Sequence, residues 1–90
     1  MRYLVQASHT EEECGKGAQE WTELDQPRKA ELFDAVQFGC ESGVHETWLI
    51  ADFDGEEEAW SYVVPSEKAK TRIVPVNSYS FDEMVSAHTQ

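Results

Sequence analysis

The sequence predicts an α+β fold of the ferredoxin-like type, βαββαβ, with a four-stranded antiparallel sheet and the helices on one face. Three observations predict this fold. Helix-capping signals follow two apolar segments, a Ser-Gly turn separates two further strand-like segments, and a proline interrupts the last strand. Because the usual strand order is 4-1-3-2, the last strand is expected at a sheet edge, where proline is tolerated.

The chain begins with a predicted strand and helix. Residues 3–8 are apolar and β-prone, which indicates a strand. Thr10 and Glu13 have the spacing of a capping box, so a helix is expected to begin there. Cys14 and Trp21 then lie two turns apart on the face that this helix turns toward the core.

A hairpin is predicted in the middle of the chain. Residues 45–53 have the clearest strand pattern, and the turn dipeptide Ser42-Gly43 precedes them. Residues 32–40 fit a helix or a strand by their apolar spacing, and the need for a second hairpin arm favours the strand. A two-residue turn then pairs Cys40 with His45 on one face of the sheet.

The remaining elements are a helix, an edge strand and a tail helix. Asp54 begins a second capping pattern, and Pro65 is expected to end the helix that follows. Residues 72–79 form the fourth strand, where Pro75 lacks a ladder donor. Ser80 begins a third capping pattern, which predicts a short C-terminal helix.

The third strand is apolar on both faces, with Leu49 and Phe53 on one side and Trp48 and Ile50 on the other. Two helices cover only one face of a four-stranded sheet. We therefore expect the second face to pack against another copy, giving a homodimer of the dimeric α/β-barrel kind.

Length and charge limit the classes of partner. The 90 residues suit a single domain, 1–90, and 18 acidic residues against 7 basic ones give a net charge of −11. Nucleic acid and anionic membranes require clustered basic residues, so neither is expected as a partner. The first residues lack a signal-peptide core and there are only two cysteines, so a cytoplasmic location is expected.

Four residues with metal-ligand chemistry are spaced as His9-x4-Cys14 and Cys40-x4-His45. In the predicted topology, the first strand ends, the first helix begins, the second strand ends and the third strand begins at the same end of the sheet. All four side chains are therefore expected to converge there. Such a Cys2His2 set suits Zn²⁺, or Ni²⁺ and Cu in a flatter geometry.

Other interpretations of these four residues stay open. The cysteines also fit small apolar fillers and the histidines fit hydrogen-bonded surface groups, which is a purely structural role. Cys14 lies near a helix start beside Lys16, so a reactive thiol, or a disulfide with Cys40, is the remaining possibility. If a metal binds, Glu46 and residues 11–13 are candidate acceptors for the imidazole N–H groups.

Several motifs of the chain also resemble a known group of proteins. They are G-C-x-x-G-x-H-x-x-W at residues 39–48, I-A-D at 50–52, R-I-V-P-V at 72–76 and H-T-x-x-x-C at 9–14. On these motifs the chain resembles, over residues 2–88, a group of small uncharacterised bacterial and archaeal proteins with the ferredoxin-like, dimeric α/β-barrel fold; residues 15–29 depart from the pattern. The wider superfamily includes muconolactone isomerase-like enzymes, cofactor-free monooxygenases and small nickel-binding proteins.

Three functions follow as hypotheses. The first is a small dimeric metal-binding protein. The second is a cofactor-independent isomerase or monooxygenase that acts on a small aromatic or lactone, with His45 as the acid-base group. The third is a non-catalytic structural or interaction module. For a small-molecule ligand, the aromatic residues that could line a cleft are Trp48, Trp60, Tyr62 and Tyr79.

Overall fold

The computed structural model describes residues 1–88, which form the predicted α+β fold with a four-stranded antiparallel sheet. In chain order its elements are β1 (Arg2–Ser8), α1 (Cys14–Glu23), α2 (Lys29–Ala35), β2 (Gln37–Phe38), β3 (Glu46–Asp52), α3 (Glu56–Trp60), β4 (Thr71–Pro75) and α4 (Phe81–His88). No helix within the described residues is both long and apolar enough to cross a membrane.

The sheet has the order β2-β3-β1-β4, which is the predicted order, with every neighbouring pair antiparallel. Tyr3 of β1 lies between Ala51 of β3 and Pro75 of β4. Because β4 pairs with β1 alone, it is an edge strand. Pro75 therefore lies at the edge of the sheet, where its lack of a backbone N–H removes no hydrogen bond from the centre of the sheet.

The core lies on one face of the sheet. Leu49 of β3 is 5% exposed, whereas its neighbour Ile50 on the opposite face is 59% exposed. This confirms the predicted alternation of faces. The buried apolar cluster contains two strand residues together with residues of the helices and of the segments between elements: Tyr3, Leu32, Leu49, Phe53, Ala59 and Tyr62.

The prediction of a strand across residues 32–40 is wrong for its first half. Residues 29–35 form α2, and only Gln37–Phe38 pair with β3. Leu32 is 2% exposed in the core, and Phe33 packs its ring 5.7 Å from that of Trp21. The first half of this segment is therefore a helix and not a strand, because the helix buries Leu32. The hairpin needs only a two-residue strand as its first arm.

The predicted two-residue hairpin turn is also wrong. Cys40–Ser42 form a 3₁₀ turn that Gly43 ends with φ 83°, and the backbone N–H of Gly39 donates to the Glu46 carbonyl at 3.0 Å. The last ladder pair is Phe38 with Thr47. Cys40 and His45 thus come together across a wider loop and not as paired strand residues.

Three later boundaries differ from prediction, and one helix cap is confirmed. The α3 helix has five residues, and its N-cap is Gly55 instead of Asp54. The Asp54 backbone N–H donates to the Glu58 carboxylate at 2.7 Å. Pro65 begins a 3₁₀ turn, Pro65–Lys70, so β4 is short. At α4, the Ser80 hydroxyl accepts from the Glu83 backbone N–H at 3.1 Å, as its capping pattern predicts.

Candidate metal centre

The first histidine lies where β1 ends beside the start of β3. The backbone N–H of His9 donates to the His45 carbonyl at 3.1 Å, one residue beyond the ladder pair of Ser8 with Glu46. His9 is 8% exposed and its ring lies edge-on to that of His45, with 5.5 Å between centroids. The antiparallel register of β1 and β3 therefore places both imidazoles at one end of the sheet.

A capped turn positions the first cysteine. The Thr10 hydroxyl accepts from the Glu13 backbone N–H at 3.3 Å, and the Glu13 carboxylate accepts from the Thr10 backbone N–H at 3.1 Å. Lys70 donates to the same carboxylate at 3.0 Å. The predicted capping box is therefore confirmed, and it fixes the turn from which Cys14 begins α1.

The second cysteine completes the cluster from the 3₁₀ turn. Cys40 Sγ lies 3.6 Å from Cys14 Sγ and 3.4 Å from His9 Nε2. One ligand atom from each of His9, Cys14, Cys40 and His45 lies within 4.8 Å of all the others. The structure thus brings together all four residues that the sequence predicts.

Two of the separations in the cluster match the edges of a tetrahedral metal site. With Zn–S near 2.3 Å and Zn–N near 2.0–2.1 Å, a tetrahedron has S···S edges of about 3.8 Å and S···N edges of about 3.6 Å. The Cys14–Cys40 and Cys40–His9 separations of 3.6 and 3.4 Å lie within ~0.2 Å of these values. These two edges already have tetrahedral lengths, and the remaining ligand atoms, which lie within 4.8 Å of them, would move closer on binding an ion.

A buried carboxylate lies behind His9, and sequence reasoning missed it. Glu67, which is 8% exposed, places Oε2 3.6 Å from His9 Nδ1 while Nε2 of the same ring faces Cys40. A carboxylate behind a ligating imidazole fixes the ring and makes it a better donor. Glu67 lies in the 3₁₀ turn before β4, and its place depends on Gly17, where a Cβ would collide with the Glu67 carboxylate.

The acceptors that the sequence suggests bond elsewhere. The Glu46 carboxylate accepts from the Gln6 side chain at 2.9 Å, and Glu13 is held by Thr10 and Lys70. Neither is hydrogen-bonded to an imidazole among the described residues. The only sequence signal for Glu67 is indirect, since Gly17 within a helix indicates a close approach there.

While no cation is bound, the surroundings of His9, Cys40 and Glu67 favour the uncharged forms of these side chains. Burial, followed by the nearby His45, lowers the pKa of His9, so its imidazole stays neutral. Burial and the Cys14 thiol raise the pKa of Cys40, and burial together with Glu20 raises that of Glu67. Neutral imidazole is the metal-binding form of histidine, and a bound cation favours the thiolates that ligate it.

Both histidines carry an unsatisfied ring nitrogen. Nδ1 of His9 and Nδ1 of His45 are buried and have no hydrogen-bond partner within the described part of the chain. Buried polar atoms are nearly always satisfied in proteins, so each such atom needs an explanation. For His45, coordination of an ion would supply a missing partner; for His9, a small shift toward Glu67 would do so.

An apolar cavity of about 560 Å³ adjoins the cluster. His9, Cys14, Cys40 and Glu67 lie along its wall, but His45 does not. Of the four aromatic residues proposed for a cleft, only Tyr62 lines this cavity. The other aromatic rings in its lining come from α1, α2 and β2: Trp21, Phe33 and Phe38.

Comparison with family models, curated proteins and solved structures gave no match. The geometry of the four-residue cluster and of the adjoining cavity is therefore what bears on function.

Proposed function

We propose that the protein binds one transition-metal ion through His9, Cys14, Cys40 and His45. The proposal rests on one observation. One ligand atom from each of the four residues lies within 4.8 Å of the other three, and all four are soft or borderline metal ligands. Zn²⁺ is the expected ion, because two thiolates and two imidazoles form one of its usual tetrahedral ligand sets. Ni²⁺ and Cu are the alternatives if the ligands flatten on binding.

The ion would cross-link four segments of the chain that the sheet by itself only brings close to one another. His9 follows β1, Cys14 begins α1, Cys40 lies in the turn after β2, and His45 precedes β3. Four protein ligands fill a tetrahedral shell and leave no position for substrate, which is typical of structural or metal-storing sites. Glu67 would hold the His9 ring in the binding orientation.

Reconstitution of metal-free protein with Co²⁺ tests the geometry. Co²⁺ takes the place of Zn²⁺ and reports tetrahedral thiolate coordination by its visible and charge-transfer absorption. We expect both bands to saturate at one equivalent per chain. The His45→Ala variant should lose the tetrahedral bands, and the matched control His88→Ala, on exposed α4, should retain them. Octahedral spectra, or equal spectra for the two variants, would contradict the proposal.

The cavity favours a second candidate function, an enzyme without a cofactor that acts on a small aromatic or lactone. Its volume is in the range of small-molecule sites, and its lining is mainly apolar with a few polar groups. His9 takes the acid-base role in this version, because it lines the cavity and His45 does not. Among the described residues no Lys or Arg lines the cavity, so the substrate would carry no negative charge.

Ligand binding distinguishes this candidate from a purely structural protein. We expect naphthol to bind and naphthoate, the anion with the same ring system, to bind about tenfold more weakly, since Glu67 and Glu41 line the cavity without a counter-charge. Ala18→Phe should fill the cavity from exposed α1 and abolish binding, whereas Ala87→Phe on α4 should not. Equal binding by the two variants would exclude the cavity as the site.

A further inference from the structure

Two free thiols lie side by side within the proposed metal centre. Cys14 is exposed at the start of α1, and Cys40 is half-buried in the 3₁₀ turn. Their Sγ atoms are 3.6 Å apart, although the residues are 26 positions apart in the chain. Metal coordination explains this proximity. The same two sulfur atoms are also close enough to react with each other.

We propose that Cys14 and Cys40 form a redox site at which a hydroperoxide produces an intramolecular disulfide, and that this oxidation releases the bound ion. The release step rests on the proposed metal-binding function. Disulfide formation does not, because it needs only the two thiols and the oxidant.

The chemistry needs one hydroperoxide for each pair of thiols. The Cys14 thiolate attacks the outer peroxide oxygen, the O–O bond breaks, and the alkoxide leaves and takes up the proton that Cys14 lost. Cys14 is then a sulfenic acid. The Cys40 thiolate attacks its sulfur, the S–S bond forms, the S–O bond breaks, and hydroxide leaves as water with the proton from Cys40. Two thiols thus give two electrons and two protons, and the hydroperoxide becomes an alcohol and water.

The geometry assigns different roles to the two cysteines. Cys14 is the attacking thiol because it is exposed, whereas Cys40 is half-buried and contacts His9 Nε2 at 3.4 Å. A disulfide needs the sulfur atoms to approach to about 2.05 Å, which is ~1.5 Å of closure from the observed separation. Both residues lie outside the strand ladder, so this closure breaks no sheet pairing.

Metal binding and the disulfide exclude each other. Only the thiolate form of cysteine ligates a metal strongly, and a disulfide removes both thiolates together. The two remaining imidazoles, His9 and His45, make a much weaker site. Conversely, an ion that coordinates both sulfur atoms protects them from the oxidant. The centre therefore has a reduced, metal-binding state and an oxidised, metal-free state.

Oxidation of metal-free and Zn²⁺-loaded protein with cumene hydroperoxide tests the proposal. In metal-free protein we expect an intact-mass loss of two hydrogens per chain and a tryptic peptide pair that links Cys14 to Cys40. Loaded protein should oxidise about tenfold more slowly and release one Zn²⁺ per disulfide, followed with a chromogenic chelator. Disulfides between chains, over-oxidised thiols, or disulfide formation without release of the ion would overturn the proposal.

Single-cysteine variants test the roles. In Cys40→Ser, Cys14 should react with the hydroperoxide at the wild-type rate and stop at a sulfenic acid that dimedone traps, and Cys14→Ser should react with the hydroperoxide about tenfold more slowly. Equal rates would overturn the assignment of Cys14 as the attacking thiol. His45→Ala keeps both thiols and should still form the disulfide. If no protein binds metal but the disulfide forms, the metal-binding function fails and the thiol reaction stands alone.

Discussion

Glu67 links the fold to the candidate metal centre through a single side chain. Its carboxylate faces Nδ1 of His9 at 3.6 Å, and the opposite nitrogen of that ring faces Cys40. Burial and the neighbouring Glu20 raise the Glu67 pKa, so the charged carboxylate is disfavoured in metal-free protein. A cation at the cluster would offset that cost.

Glu67→Gln should therefore separate metal affinity from fold stability. We expect metal affinity to fall by about 10–100-fold, as for other carboxylates behind a ligating histidine. The free energy of unfolding of metal-free protein should not fall, because the amide avoids burial of a charge. Competition with a metal indicator and urea unfolding measure the two quantities. Glu57→Gln on α3 is the control, and a loss of stability without a loss of affinity would show that Glu67 is only structural.

At this scale the sequence predicts the ligands but not what orients them. The topology brings His9, Cys14, Cys40 and His45 to one end of the sheet, and the described structure confirms that convergence. Glu67 comes from a 3₁₀ turn whose packing against Gly17 depends on how α1 crosses the sheet. No local pattern distinguishes it from the many surface carboxylates of an acidic chain.

The short elements around the cluster determine where the cysteines lie. The capping box of Thr10 and Glu13 sets the start of α1, and Gly43 ends the turn that carries Cys40. The capping box depends on the Glu13 carboxylate, and the turn depends on Gly43. Substitution of either residue should therefore change the stability of the fold in a predictable direction.

Glu13→Gln should change the acid limb of the stability curve. The hydrogen bond from the Thr10 backbone N–H and the contact with Lys70 lower the Glu13 pKa to about 2 from 4.5. A lowered pKa means that the charged form stabilises the fold above pH 4.5 and that this contribution is lost as the pH falls toward about 2. Urea unfolding at several pH values should show a deficit for Glu13→Gln at neutral pH that shrinks over this range. Glu12→Gln, on the same exposed turn, should show no such deficit.

Two glycine substitutions should have opposite effects. Gly43 has φ 83°, so Gly43→Ala is expected to cost about 1 kcal/mol. Gly15 lies within α1 with open space around a Cβ, so Gly15→Ala is expected to add about 0.5–1 kcal/mol. Thermal and urea unfolding measure both changes. A stabilising Gly43→Ala would show that the turn has another conformation.

The elements show why local patterns fail in the middle of the chain. Residues 32–40 satisfy both periodicities, and the tertiary environment decides between them by burying Leu32 in the core and packing Phe33 against Trp21. The strands at 2–8 and 46–52 have no such ambiguity, and their predicted bounds differ from the structure by one residue at most.

The whole molecule leaves apolar surface open on the sheet face opposite its core. Ile50 is 59% exposed and is flanked by Leu4 and, beyond it, Val74 across the sheet. On α4, Phe81 is 82% exposed. Exposed apolar patches of this kind mark interaction surfaces, and within residues 1–88 no second layer covers this face.

We expect the protein to be a homodimer through this open face, as the apolar alternation of β3 predicts. Ile50→Glu should dissociate the dimer without unfolding the chain, because Ile50 lies outside the core. Sedimentation equilibrium gives the mass, and circular dichroism checks the fold. Gln19→Glu, an exposed change of the same charge on α1, should remain dimeric. A monomeric wild type would contradict the dimer, and a dimeric Ile50→Glu would place the interface elsewhere.

The metal content of protein expressed and purified without chelators tests metal binding most directly. Native mass spectrometry with elemental analysis should find one Zn²⁺, or one Ni²⁺ or Cu ion, for each chain. The ion should be lost in His45→Ala and Cys40→Ser and kept in the control His88→Ala. Wild-type protein that stays metal-free after reconstitution, or that keeps its ion when His45 and Cys40 are both replaced, would contradict the assignment of the centre.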